Sequence, residues 1–202
     1  MKIVAIVCSP RKGGNTEILA REVLDSASKF GAETEIININ DKNIKPCDGC
    51  ESCEVTRKCH IDDDMQEIYS KLFQSDGIIF ASPVYFWGIT AQGKAVIDRT
   101  FVFKKHKALR NKVAGSIVVA NRTGASSAFS ALNAFINLHM MIPARSIRAR
   151  TEEEELINER GSGVIAYGNK KGDVRSDTRA IDEAQALGKA MVETMRLVND
   201  KK

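Results

Sequence analysis

The sequence predicts an α/β protein built on a doubly wound, five-stranded parallel sheet, and three observations lead there. Short apolar runs alternate along the chain with segments whose apolar residues recur at helical spacing. The runs are continuously apolar, as strands covered on both faces are. Polar, glycine-bearing or aromatic loops follow several of these runs, at the carboxyl ends of strands where such sheets bind ligands.

Taken in order, "KIVAIVC" (Lys2 to Cys8) is the first strand. A helix follows from about Thr16 to Phe30, with Ile18, Leu19, Val23, Ala27 and Phe30 on one stripe and Gly31 at its end. "ETEIINI" (Glu33 to Ile39) is the second strand, and a cysteine-rich loop over 44–62 follows it. A helix from about Asp62 to Gln74 carries acids in its first turn, and "DGIIFAS" (Asp76 to Ser82) is a third strand stopped by Pro83. A helix from about Thr90 to Lys105, a strand from Lys112 to Ala120, a helix from about Ser126 to Met140 and a weaker strand near Ser146 to Arg150 complete the repeats. The last helix runs from about Asp177 to Val198. Residues 151–176, rich in Glu, Gly, Lys and Arg, read as an excursion over the sheet or a surface for a partner subunit.

At 202 residues the chain suits a single domain, 1–202, able to bury a full core without disulfides. Its net charge of +4 is modest, and "FKKHKALRNK" reads as a solvated helix end, so nucleic acid is not an expected partner. The acids Asp62 to Asp64 and Glu152 to Glu155 read likewise as solvated helix starts or faces. No apolar run approaches the roughly 20 residues of a membrane helix, and the first residues lack a signal-peptide pattern. A cytoplasmic protein is expected, in which clustered thiols stay reduced and serve metal or redox chemistry.

Directly after the first strand, "SPRKGGNT" (Ser9 to Thr16) opens into a helix, gathering glycines, hydroxyls, an amide and Arg11 where free N–H groups attract an anion such as phosphate. It is not G-x-G-x-x-G, and the second strand ends in "NIN" without a ribose-binding acid, which disfavours a dinucleotide. A plain capped turn is the alternative. After the third strand, "SPVYFWG" (Ser82 to Gly88) exposes three aromatics suited to a flat apolar partner or to a subunit interface. After the fourth, "NRTGASS" (Asn121 to Ser127) offers edge-on hydrogen bonds. Together the three loops describe a site for a flat ring with a phosphate tail, and flavin mononucleotide (FMN) fits. "GITAQGKA" (Gly88 to Ala95) imitates a nucleotide-triphosphate loop but ends in Ala95 where magnesium needs Ser or Thr.

Four of the five cysteines, Cys47, Cys50, Cys53 and Cys59, fall in one loop spaced C-x2-C-x2-C-x5-C. Zinc and iron-sulfur clusters bind this many thiolates. Structural zinc usually takes two C-x2-C pairs a dozen or more residues apart, whereas the compact triple favours a four-iron four-sulfur (4Fe-4S) cluster; zinc or reactive thiols remain the alternatives. His60 reads as a residue behind the ligands or on the surface, and Cys8 as a buried apolar residue.

"SPRKGGNT", "CDGCESC" with Cys59, and "SPVYFWGITAQGKAVIDR" together resemble the iron-sulfur flavoprotein family, relatives of the NADPH-dependent FMN reductases on a flavodoxin-like fold. The resemblance covers at least Met1 to about Asn121. It implies one FMN and one 4Fe-4S cluster per chain, electron transfer between them and a homotetramer built as a dimer of dimers. It further implies a ferredoxin-like redox partner and, in some members, reduction of dioxygen or peroxide. By the same resemblance Ser9, Arg11, Gly14, Asn15 and Thr16 would hold the phosphate. Pro83, Val84, Tyr85, Phe86, Trp87 and Gly88 would line the ring, with Asn121 and Gly124 at the third loop. That third loop is bulkier than the Gly-rich pattern usual in these relatives. The alternative is an NAD(P)H-dependent FMN or quinone reductase whose cysteines bind zinc or no metal.

Overall fold

The structure is a computed structural model that describes residues 1–144 and 163–199. Six strands form one sheet: β1 (Lys2–Val7), β2 (Glu33–Asn38), β3 (Gly77–Pro83), β4 (Val113–Ala120), β5 (Ile142–Pro143) and β6 (Gly163–Tyr167). Every pairing is parallel, in the order β2-β1-β3-β4, with β5 and β6 both on the outer side of β4. This is the flavodoxin-like order expected of a doubly wound sheet, whose turn of direction lies at β1 and β3.

Among the described residues seven α-helices cover the faces: α1 (Asn15–Lys29), α2 (Cys53–Thr56), α3 (Met65–Gln74), α4 (Ala91–Arg99), α5 (Phe101–Lys104), α6 (Ala125–Leu138) and α7 (Thr178–Asn199). The period of two along β1 sorts its side chains between them. Ile3, Ala5 and Val7 join the core under α1 and α7, while Val4, Ile6 and Cys8 join the one under α3, α4 and α6. α1 and α7 approach closely because position 188 is glycine: a Cβ there would stand 2.2 Å from the Val23 carbonyl oxygen. No described helix is long and apolar enough to cross a membrane.

The fifth position of the sheet departs from the sequence reading. The strand expected near Ser146 to Arg150 lies outside the described residues. The position is shared instead by β5, opposite Val113 and Ala114, and β6, opposite Ser116 to Ala120. Part of the segment read as an excursion over 151–176 is therefore a buried strand, whose residues Gly163 to Ala166 are all covered. The helix expected from Thr90 to Lys105 is two. It breaks at Thr100, whose hydroxyl donates to the Ile97 carbonyl at 2.6 Å and lies 3.0 Å from His139 Nε2. That side chain competes with the helical backbone, as threonine hydroxyls do.

Candidate functional site

Four loops meet at the carboxyl edge of the sheet around a cleft of about 240 Å³. Of the residues expected at a flavin site, Ser9, Arg11, Gly14, Asn15, Thr16, Pro83, Val84, Tyr85 and Asn121 line this one cleft. Three neighbours that sequence reasoning missed, Gly168, Asn169 and Lys171, come from the loop after β6. The first loop turns through Gly13 at φ +64°, and Ser9 Oγ accepts the Arg11 N–H at 3.1 Å. Beneath it the buried Glu17 accepts the Gly13 N–H at 2.7 Å and pairs with Arg21 at 2.7 Å. Burial pushes the Glu17 carboxyl up, but Arg21 and the Gly13 N–H together hold it below its ordinary value. The N-cap of α1 is Gly14, which supplies no side chain to its first turn. Thr16 is 2 % exposed and lines the cleft.

Phe86, Trp87, Gly88 and Gly124 stand beside the cleft, outside its lining. Tyr85 and Gly88 exchange both backbone hydrogen bonds, at 2.9 and 3.0 Å, around Phe86 (φ +47°) and Trp87 (φ +64°). Left-handed values at both central positions make a type I′ turn, which ordinarily takes Asn or Gly. Two aromatics held there are strained and fully or largely exposed, a pattern found at ligand clamps and interfaces. Gly124 (φ +82°) lies against this turn: a Cβ would come within 3.0 Å of both Trp87 Cα and Val84 Cγ1.

Cys47, Cys50, Cys53 and Cys59 line a second cavity, about 300 Å³, closed on its other side by Asp98, Arg99, Phe101 and Val102. All four thiols are free. Burial, and then the nearby sulfurs of Cys59, Cys50 and Cys47, push the Cys53 thiol up. His60 Nε2 lies 2.7 Å from Oδ2 of Asp48, which itself lines the cavity.

The stems of this loop are fixed by an ion pair that the sequence reading misjudged. Asp63, expected to be solvated, has no exposed side-chain surface, and neither has Arg99. The guanidinium binds both Asp63 oxygens, at 2.7 and 3.1 Å, and donates to the Lys45 and Ile61 carbonyls at 2.8 and 3.3 Å. Its Nε donates to the Tyr69 hydroxyl at 3.1 Å. Asp63 in turn accepts the N–H groups of Lys45 and Met65. Burial opposes the charge on Asp63, but Arg99 and those two N–H groups more than reverse this and hold its carboxyl below the ordinary range. Arg99 thus ties the entry of the cysteine loop to its exit. The triphosphate-loop imitation serves packing: Thr90 Oγ1 accepts the Gly93 N–H and donates to the Cys8 carbonyl, while Gly93 lets α4 lie against Cys8.

The sequence profile described as NADPH-dependent FMN reductase matches residues 1–154. The chain belongs to that family. Among its relatives, an iron-sulfur flavoprotein of Methanocaldococcus jannaschii is 38% identical over 98% of this chain and 99% of the relative. One of Methanosarcina thermophila is 39% identical over 70% of this chain and 76% of its own. Of solved structures, RosB with a bound riboflavin-phosphate intermediate has a TM-score of 0.75 at 14% identity, covering 99% of this chain and 81% of RosB. The apo NADH:FMN oxidoreductase EMOB has a TM-score of 0.61 at 18% identity, covering 97% and 89%. At such identities the structural likeness speaks for the fold. Membership of the family supports FMN binding and a redox function.

Proposed function

We propose that the chain is an electron-transfer flavoprotein that holds FMN in the carboxyl-edge cleft and a 4Fe-4S cluster on Cys47, Cys50, Cys53 and Cys59. The observation that carries this reading is the cysteine cavity itself: four thiols line one wall and an anchored, buried ion pair underlies the other. Among the described residues, the only metal-sized group whose ligand atoms all fall within 4.8 Å is Asp48, Cys50 and His60. Zn–S bonds of about 2.3 Å would draw tetrahedral sulfurs to about 3.8 Å from one another. The wider lining favours a ligand larger than one ion. In the cleft, the Thr16 side chain and the uncapped first turn of α1 suit a phosphate, and the strained Tyr85–Gly88 turn suits a ring.

When bound, the two groups supply one-electron chemistry at the cluster and one- or two-electron chemistry at the flavin. The chain's own contribution is position and shielding. Ser9, Gly14 and Thr16 would orient the phosphate, Pro83 to Tyr85 would flank the ring, and Asn121 would face its edge. Arg99 and Asp63 would hold the cysteine loop closed. A ferredoxin-like donor, assembly into homo-oligomers and reduction of dioxygen or peroxide belong to the same proposal.

The family profile itself favours a second reading, direct hydride transfer from a nicotinamide to FMN with zinc or no metal on the cysteines. Anaerobic purification followed by iron, sulfide, zinc and flavin analysis separates the two. Four irons and four sulfides per chain, lost in Cys50→Ala, are expected; one zinc per chain would defeat the cluster.

A further inference from the structure

The loop after β6 lies beyond the residues matched by the family profile, and no motif in the sequence marks it. The structure nevertheless builds it firmly. Gly168 N–H ends the strand pairing on the Ala120 carbonyl at 2.9 Å, and Asp173 Oδ2 accepts the Asn169 and Lys170 N–H groups at 2.9 and 2.7 Å. Val174 then anchors the loop in the core under α1 and α7. Three bonds seat the loop on the first one: Arg11 Nη1 to the Asn169 carbonyl at 3.2 Å, Asn15 Nδ2 to the Lys170 carbonyl at 2.9 Å, and Gly172 N–H to Asn15 Oδ1 at 2.7 Å. Two side chains expected to grip the phosphate are therefore engaged in holding the loop.

What the loop presents is Lys171. Its Nζ stands 3.0 Å from where a Cβ on Gly13 would be, and the residue shares the cleft with Ser9, Gly14 and Thr16. No acid pairs with Lys171 among the described residues. One acid from each of the two loops is committed elsewhere: Glu17 to Arg21 and Gly13, Asp173 to its own loop. The Lys171 ammonium, the Thr16 side chain and the uncapped start of a helix converge on one end of the cleft. Each is complementary to a dianionic phosphate.

We propose that Lys171 is the cation that pairs with the phosphate of the bound flavin, so that the loop after β6 sets the preference for a phosphorylated flavin over riboflavin. This rests on the FMN reading above. Arg11 and Asn15 act as positioning residues, carrying Lys171 to the first loop. Gly13 suits its place because φ +64° strains other residues and a side chain there would press on the ammonium.

The test is a fluorescence titration of the full-length, flavin-stripped protein with FMN and with riboflavin. In Lys171→Met the FMN dissociation constant should rise about tenfold, as expected for one lost charge-assisted hydrogen bond, while that for riboflavin stays put. Lys171→Arg should keep most of the preference, and added salt should weaken FMN binding less in Lys171→Met than in the parent. Phosphorus NMR of bound FMN gives a second readout, with a shifted resonance in the variant. If the parent prefers FMN and Lys171→Met prefers it equally, the role of Lys171 is overturned while the FMN reading stands. If the parent binds no FMN, both fall.

Discussion

Replacing Arg99 with Met keeps the aliphatic stem and deletes the guanidinium, stranding the Asp63 carboxylate at zero side-chain exposure and leaving the Lys45 and Ile61 carbonyls without their partner. Removing one member of a buried pair typically costs about 3–5 kcal/mol. Native stability of a single domain is only about 5–15 kcal/mol. At about 2–4 °C per kcal/mol for a chain of this size, the melting temperature should fall by roughly 6–20 °C. Urea unfolding of the reduced, metal-free protein, followed by far-ultraviolet circular dichroism, measures the loss. Lys94→Met is the control: its pair with Asp98 is largely exposed and should be worth under about 1 kcal/mol. The double variant Arg99→Met, Asp63→Leu should recover part of the loss, since neither charge is then stranded. The pH response follows from the sign of the Asp63 shift. Its folded value is lowered, so its contribution is complete above the unfolded value of about 3.9 and disappears as pH falls through the folded one. In Arg99→Met the stranded carboxyl moves up, so protonating it relieves the buried charge, and the stability gap between variant and parent should narrow as the pH falls. An Arg99→Met loss no larger than the Lys94→Met control would refute the reasoning.

Phe86→Gly should leave the melting temperature unchanged or raise it, because a left-handed L-residue costs about 1 kcal/mol that glycine avoids. The same variant should bind FMN more weakly if the exposed ring flanks the flavin; a clear drop in melting temperature would show that the turn is not strained. His139 has its folded pKa pushed down to about 4, by burial and then by Lys104. A group lowered in this way from about 6.5 contributes stability that is complete above pH 6.5 and lost as pH falls towards 4. Stepwise urea titrations should show His139→Gln with a shallower decline across that window, and parallel declines would count against the assignment.

The continuous apolar runs made β1, β3 and β4 legible in the sequence because strands covered on both faces have no polar residues to confuse the pattern. The loop residues around the cleft were legible because a doubly wound sheet fixes where its loops meet. What escaped was non-local. Gly163 to Tyr167 is a five-residue run in a polar neighbourhood, and it becomes a strand only because β4 offers it an edge. Asp63 looked like any helix-start acid, since nothing near it in sequence announces Arg99. Lys171 sits in a plain polar loop and acquires meaning only when Arg11 and Asn15 reach across to it. The break at Thr100 needed a histidine from the far end of another helix.

The close seating of α7 on α1 through Gly188 bears on how the protein is made. Synthesis proceeds from the amino terminus, yet α1 waits for Leu187, Met191 and Met195, far downstream in the sequence, before its face of the sheet is covered. The opposite face draws nearly all its partners from residues up to Met141 and can consolidate while the ribosome is still working. The cysteine loop belongs to that early half, whereas the phosphate end of the cleft, closed by the loop before α7, belongs to the late one. A nascent chain can therefore assemble its thiol pocket first and becomes competent for flavin only once the loop before α7 has been made.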